Sequence, residues 1–355
     1  MDHVRAIAVL FVVCSAFFPQ PANANEAELK LKQRFSQAMA IMTKQPEDAA
    51  IIMQGLASDG YGRAMDRLGF FYLKGIGVTE DLKLSIAYYN QAVAAGNAKS
   101  LVSLGKAYMI LGDAERAISA FTRGIDAGVP KAGVTLAWAH ATGRLGALSK
   151  PAIGILELTE RAEEGDCDAQ VLLLAAQIAH PSKRFVHDGF LDRLHERVLN
   201  GDSKAAEGLL RYYRIFNHER GTVEVRAALL KTPGLRAKAS VEEGLYLASE
   251  LEPQRFWIKS EELVRTAPND VFARALVVTA KINKNAYVRI VQKELHALGY
   301  RVGRLSPYLH KAQIRAINRF CHDQEISVDC RFGPLKSTTA KALAAKLADV
   351  RNPND

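Results

Sequence analysis

The chain contains few of the features on which chemistry is usually built. Four cysteines occur in 355 residues, and no two form a C-x-x-C pair, so zinc has no support. There is no G-x-S-x-G nucleophile elbow, no phosphate-cradling loop and no H-E-x-x-H helix. Beyond the first residues no apolar run approaches the ~20 residues that a membrane-spanning helix requires. Aromatics are 8% and hydrophobic residues 48%, which excludes both a disordered chain and a membrane protein of many spans. Nine histidines remain to be placed. His187-Asp188, Asp192 and His195-Glu196 fall near one helix face without metal-ligand spacing, and are expected to be a solvated charged face. His218-Glu219 and His322-Asp323 are neighbours in sequence and do not share a helix face. An enzyme is not expected, nor a metal or other cofactor.

The first residues form a pattern of their own. Arg5 precedes an apolar run of 13 positions, Ala6–Phe18, followed by Pro19, Pro21 and the small-residue site Ala22-Asn23-Ala24. This is the layout of an export signal, residues 1–24, with cleavage expected after Ala24. Two alternatives stay open: lipidation at Cys14, where Val13 is a poor preceding residue, and an uncleaved anchor. The expected location is the periplasm of a Gram-negative bacterium. Cys321 and Cys330, nine positions apart, are then expected to form a disulfide, the alternative being two thiols. Cys167 has no mate and reads as a small packing residue.

Charge is unevenly spread. The formal net charge is +9, and residues 281–355 alone hold 14 Lys/Arg against 6 Asp/Glu, hence +8. A basic C-terminal segment invites an anionic partner: a wall or secreted glycan, a lipid headgroup or nucleic acid. Export makes nucleic acid the poorest fit. The alternative is a solvated basic surface that aids solubility.

Glycines punctuate the middle of the chain. Gly60, Gly96, Gly128, Gly165 and Gly201 are separated by 36, 32, 37 and 36 residues. A period of this size marks a helical-repeat solenoid. In the clearest unit, Ala64–Ala98, Leu68, Phe71 and Tyr72 define a first helix, Gly75-Ile76-Gly77 a turn, and Ile86, Tyr89, Ala92 and Val93 a second helix. Thr79-Glu80-Asp81 offers a capping side chain between them. Leu104-Gly105 and Tyr108 repeat Leu68-Gly69 and Tyr72 at an offset of 36. Further units start near Ala137-Trp138, Leu172–Ala176 and Ala205, and Leu29–Met42 with Ala49–Leu56 reads as an opening pair. Tyr61, Tyr72, Tyr88, Tyr108 and Tyr212 are expected mostly to fill seams between helices.

The string Leu68-Gly69-x-x-Tyr72-x-x-Gly75-x-Gly77-Val78-x-x-Asp81, with Tyr88-Tyr89, Ala92 and Gly96-Asn97-Ala98, resembles a Sel-one-like repeat, a relative of the tetratricopeptide repeat. The resemblance runs with falling quality over Glu26–Asn217. It implies an all-α solenoid of antiparallel helix pairs and a scaffolding role: adaptor in polysaccharide secretion, regulator of envelope sensors, or envelope organiser. Residues 218–284 show helical periodicity alone and read as degenerate repeats or a bridge.

From 285 to 350 three short helices are expected, carried by Val288/Val291/Leu295, Ile314/Ile317/Phe320 and Thr339/Leu343/Leu347. Val291-Gln292-x-x-Leu295-x-x-Leu298-Gly299-Tyr300, Ala316-Ile317-x-x-Phe320 and Val328-Asp329-x-x-Phe332-Gly333-Pro334 resemble the small peptidoglycan-binding three-helix domain. Leu305–His310 replaces that family's first Asp-Gly turn. The resemblance implies glycan contact, for which Tyr300, Arg301, Arg304, Tyr308, His310, Arg331 and Phe332 are the candidates; modules of this shape also serve structurally. Two functions follow as expectations. One is a scaffold that holds envelope proteins on its repeats and tethers them to peptidoglycan. The other is a binder of peptidoglycan or an acidic exopolysaccharide, with the repeats as a spacer.

Overall fold

A computed structural model describes residues 22–216 and 223–351. The expected export signal therefore lies outside the described residues up to Pro21, as does His218-Glu219. Among the described residues the chain is all-helical, with nineteen α-helices and no strand. It divides into two compact units, Met1–Pro151 and Ala152–Asp355.

The first unit holds α1 (Ala22–Ile41), α2 (Pro46–Ser58), α3 (Gly62–Lys74), α4 (Leu82–Ala94), α5 (Ser100–Leu111), α6 (Ala114–Asp126) and α7 (Pro130–Ala141), then a 3-10 turn at Gly146–Leu148. Successive helices pack as antiparallel neighbours, and α3, α5 and α7 also touch directly. The punctuation follows from backbone chemistry. Gly75 ends α3 in the left-handed conformation (φ 66°), where its amide bonds to the Phe71 carbonyl. The Asp81 carboxylate then accepts from the amides of Lys83 and Leu84 and starts α4. Gly112 and Asp113 do the same between α5 and α6. The five periodic glycines all have positive φ, from 69° at Gly128 to 94° at Gly165.

Pairing within a unit depends on missing side chains. A Cβ on Gly69 would stand 2.7 Å from the Tyr89 ring, and one on Gly105 2.6 Å from the Phe121 ring. The first helix of each pair thus leaves a notch for the aromatic of the second. Gly77 is needed for another reason, since a Cβ there would lie 2.0 Å from the Pro46 carbonyl oxygen. Around these notches run two cores, one including Met53, Leu56, Leu68 and Phe71, the other Leu104, Ala107, Phe121 and Leu145. Tyr108 and Tyr212 are buried, and Tyr72 stacks on Tyr88 at 5.4 Å, so these tyrosines do fill seams.

The second unit contains α8 (Pro151–Glu163), α9 (Cys167–Ala179), α10 (Asp188–Leu199), α11 (Ser203–Ile215), α12 (Val223–Leu229), α13 (Ala237–Ala248), α14 (Pro253–Arg265), α15 (Asn269–Ile282), α16 (Lys284–Ala297), α17 (Lys311–Asp323), α18 (Ser327–Cys330) and α19 (Ser337–Val350). Asp166 and Asp202 cap α9 and α11. One core extends from Leu245 and Val264 through Phe272, Leu276, Tyr287 and Val291 to Phe320, Leu343 and Leu347. The helices before residue 285 and those after it therefore share their apolar interior.

Cys321 and Cys330 are joined in a disulfide (Cα–Cα 6.4 Å) that ties α17 to α18. Cys167, expected to be buried, is exposed. It occupies the first position of α9, just after the Asp166 cap, and the buried face of that helix begins at Ala169. A first-turn position without packing above it faces water whatever its hydropathy.

Candidate functional site

The seven residues expected to contact glycan fall into three groups. Tyr300 packs edge-on against Phe320 at 5.7 Å, and its hydroxyl donates to Asp323 Oδ2 at 3.1 Å. Burial, and then the Asp323 carboxylate, raise its phenol above the usual range. Tyr308 and His310 belong to the loop before α17. That loop is held by two buried glutamines. Gln292 Nε2 donates to the Ser306 carbonyl (2.7 Å) and its Oε1 accepts the Ser306 amide (2.9 Å). Gln313 donates to the Arg304 carbonyl (2.8 Å) and accepts the His310 amide (3.0 Å). Arg304 is exposed beside it, and Arg301, also exposed, directly follows Tyr300 in the chain. The third group is Arg331 and Phe332, where the guanidinium lies 4.5 Å over the exposed ring.

The loop sits at the start of α17 and Tyr300 at its end. At 1.5 Å per residue the two ends of this 13-residue helix are about 20 Å apart. The spacing in sequence gave no sign of this separation. A shallow groove of about 420 Å³ lies instead along a single face of α17, at Ile314, Asn318 and Cys321. Its other wall is Ser327, Cys330, Arg331, Gly333 and Pro334. Of the seven candidates only Arg331 lines it. The expected disulfide and the Val328–Pro334 turn supply most of that wall, while Ile314 and Asn318, the α17 residues facing it, were not among the candidates.

The histidine face also changes character. The His187 ring accepts the Phe190 amide and caps α10, and His195 Nε2 lies 2.8 Å from the Tyr213 hydroxyl. Two members of the expected solvated face thus serve helix packing, because each meets a neighbour that periodicity cannot show. Among the described residues no group of three or more His, Cys, Asp or Glu is arranged to hold a metal ion. No described helix is long and apolar enough to cross a membrane.

A second concavity, about 840 Å³, opens in the first unit between the α5–α6 turn and the loop after α7. Met109, Leu111, Leu145 and Leu148 supply its apolar wall, and Asp113, Glu115, Arg116 and Arg144 its polar one. Arg116 lies 4.9 Å over Tyr108 while bonded to Asp113 (2.6 Å), and Arg144 lies 4.6 Å over Trp138. Stacking on a ring orients each guanidinium at the rim of the concavity. Sequence reading missed this site because Trp138 and Arg144 are brought together by the turn that ends α7.

No protein-family profile and no curated protein matches the sequence. Among solved structures the chain is similar to a Sel1 repeat protein from Oxalobacter formigenes, with 17% identity over 65% of this chain and 99% of that one, at a TM-score of 0.42. It is also similar to a protective antigen present in uropathogenic Escherichia coli strains and displaying an SLR fold, with 14% identity over 92% of this chain and 81% of that one, at a TM-score of 0.39. Likeness of this degree carries no functional argument, and the helix-pair reading rests on the chain's own caps, notches and cores.

Proposed function

We propose that this protein is a non-enzymatic, exported scaffold that binds envelope proteins through its helical repeats, in polysaccharide secretion or envelope regulation. The observation that carries the reading is the build of the first unit. Its interior is spent on holding helix pairs together through Gly69/Tyr89 and Gly105/Phe121, which leaves the outward faces of the helices free of structural duty. The test is crosslinking in the native envelope followed by recovery of the chain. Discrete protein adducts on residues of the repeats support a scaffold; adducts confined to polysaccharide remove it.

A specific observation favours a second role for the C-terminal segment. Arg301, Arg304, Lys311, Arg315, Arg331, Lys336 and Lys341 are exposed, and none forms an ion pair among the described residues. Unpaired cations beside Phe332 and the α17 groove suit an acidic glycan, whether peptidoglycan or a uronic-acid polymer. The segment would then tether the partners held by the repeats. Co-sedimentation of the full chain with purified sacculi, at low and high salt, checks this. An Arg315→Ala/Arg331→Ala variant should sediment less, and equal sedimentation of both proteins excludes the tether.

A further inference from the structure

The last helices of the second unit expose apolar side chains in one small area. α18 is four residues long and buries only Cys330. The disulfide to Cys321 holds the strip 327–334 along α17, so the strip keeps its place without burying a face of its own. Val328 and Phe332, four positions apart across that turn, are 71% and 61% exposed. Leu335 follows, and Ile314 stands on α17 at the groove; both are exposed too. Single exposed apolar residues are ordinary, but three within eight positions, beside a fourth, make a patch.

Cations border the patch. Lys311 and Arg315 share a face of α17 with Ile314. Arg331 and Lys336 stand in the strip itself, and the Arg331 guanidinium rests 4.5 Å over the Phe332 ring. All four are exposed, and none forms an ion pair among the described residues. Residues 301–341 hold eight Lys/Arg against three Asp/Glu, hence +5. Of the three acids, Asp323 is paired with Arg319 at 3.1 Å, while Glu325 and Asp329 are exposed. Those two carboxylates are outnumbered, and the area stays positive.

An acidic glycan accounts for the cations and for Phe332, since sugars pack on aromatic rings. It has nothing with which to cover Val328, Leu335 and Ile314. Aliphatic side chains gain only by leaving water for an apolar phase. A bilayer surface supplies both needs, with anionic headgroups at the level of the cations and acyl chains just beneath. Arg and Lys suit that boundary, because their stems lie on apolar surface while their charged ends stay in water. Such contact lies in the interface plane and needs no spanning helix. We infer that the α17–α18 face docks on an anionic lipid bilayer, with the Val328–Leu335 strip entering the headgroup boundary and the cations around it on lipid phosphates. The inference goes beyond the glycan tether and does not depend on it.

The experiment is flotation of the full, oxidised chain with lipid vesicles, at an ionic strength where charges more than about 8 Å apart are largely screened. Vesicles of phosphatidylglycerol and phosphatidylcholine in equal parts should carry the chain up the gradient, and vesicles of phosphatidylcholine alone should not. Arg315→Glu/Arg331→Glu should bind the mixed vesicles at least about tenfold more weakly, since each Lys or Arg at an anionic surface is worth about fivefold. Lys74→Glu/Lys83→Glu, in the first unit, removes the same net charge and should change binding less than about twofold. Val328→Ser/Leu335→Ser keeps every cation. It should bind the mixed vesicles about tenfold more weakly, with Tm unchanged, and should sediment with sacculi as the wild type does. Absence of flotation with the mixed vesicles, or equal flotation of the serine variant and the wild type, overturns the inference. A serine variant that loses vesicles and sacculi together also overturns it, because the strip then serves the glycan. Flotation of the wild type without sedimentation on sacculi removes the tether and leaves the membrane contact standing.

Discussion

A single hydrogen atom in place of a methyl group decides whether α3 and α4, or α5 and α6, close on each other. Gly69 and Gly105 are helical and have no need of unusual backbone angles; each is required because a ring fills the space where its Cβ would be. Gly96 is the opposite case, with φ 85° and open space around it. Two mechanisms therefore predict two responses to alanine. Gly69→Ala should destabilise by about 1–3 kcal/mol through overpacking, and Tyr89→Leu should recover part of the loss by vacating the notch. Gly96→Ala should destabilise by about 1 kcal/mol through its left-handed backbone, with no second-site rescue from side-chain trimming. Urea denaturation of wild type, the two single variants and each combined with Tyr89→Leu checks both, and equal rescue at the two sites would remove the distinction. The same residue-level logic explains Cys167. Position on a helix, not hydropathy, put it in water.

At the scale of the helix, the aspartate caps were legible in the sequence, as Asp81 shows, because a cap is local. So were the repeat period and the faces of the helices before residue 217, because both are linear patterns. The ion pair that pins the short helix α12 was not, since its partners stand 17 residues apart on different helices. Arg226, nearly fully buried, holds Glu243 of α13 at 2.5 Å, and Arg214 of α11 approaches the same carboxylate at 3.4 Å. Burial pushes the Glu243 carboxyl up, against the pull of Arg226 and Arg214. Arg226→Met should destabilise the second unit by about 3–5 kcal/mol, because it strands that carboxylate in the interior; Arg226→Met/Glu243→Leu should recover most of it. Thermal melts of the single and double variants decide. The Asp202 cap gives a pH prediction. Burial raises its carboxyl, but the Ala205 amide, the Arg197 guanidinium and the Lys204 amide outweigh burial and hold it below the ordinary aspartate range. A depressed folded-state pKa means that the stabilisation is full above the unfolded value of about 3.9 and fades as pH falls below it. Asp202→Asn should therefore be less stable than wild type at pH 7, with the gap narrowing only as pH falls below about 4.

For the whole second unit the question is where folding units end. Helical periodicity and the likeness to a small wall-binding module place a boundary near residue 285, but periodicity reports faces, not what covers them. The faces of α16 and α19 are covered by what precedes them: α19 packs on α15, and α16 on α14 and α15. At the end of α19 the Arg351 guanidinium lies 4.2 Å over Phe272 and donates to the Arg265 carbonyl at 2.7 Å. Glu261 of α14 accepts from both Arg289 and Lys293 of α16. A fragment of residues 285–350 would expose Val288, Ile290, Leu343 and Leu347, all buried in the intact chain, in a piece too small to replace that area. Its disulfide closes a nine-position separation and contributes about 2–3 kcal/mol, less than such exposure takes away. The fragment should therefore give a collapsed amide spectrum by NMR, while the fragment 237–351, which restores α13 to α15, should give dispersed signals and one cooperative melt. In the full chain Cys321→Ser/Cys330→Ser should lower the melting temperature of that same transition without splitting it. A folded 285–350 fragment, or a separate low-temperature step in the serine variant, would show that the C-terminal helices form a domain of their own and that glycan binding, if present, is independent of the helices before them.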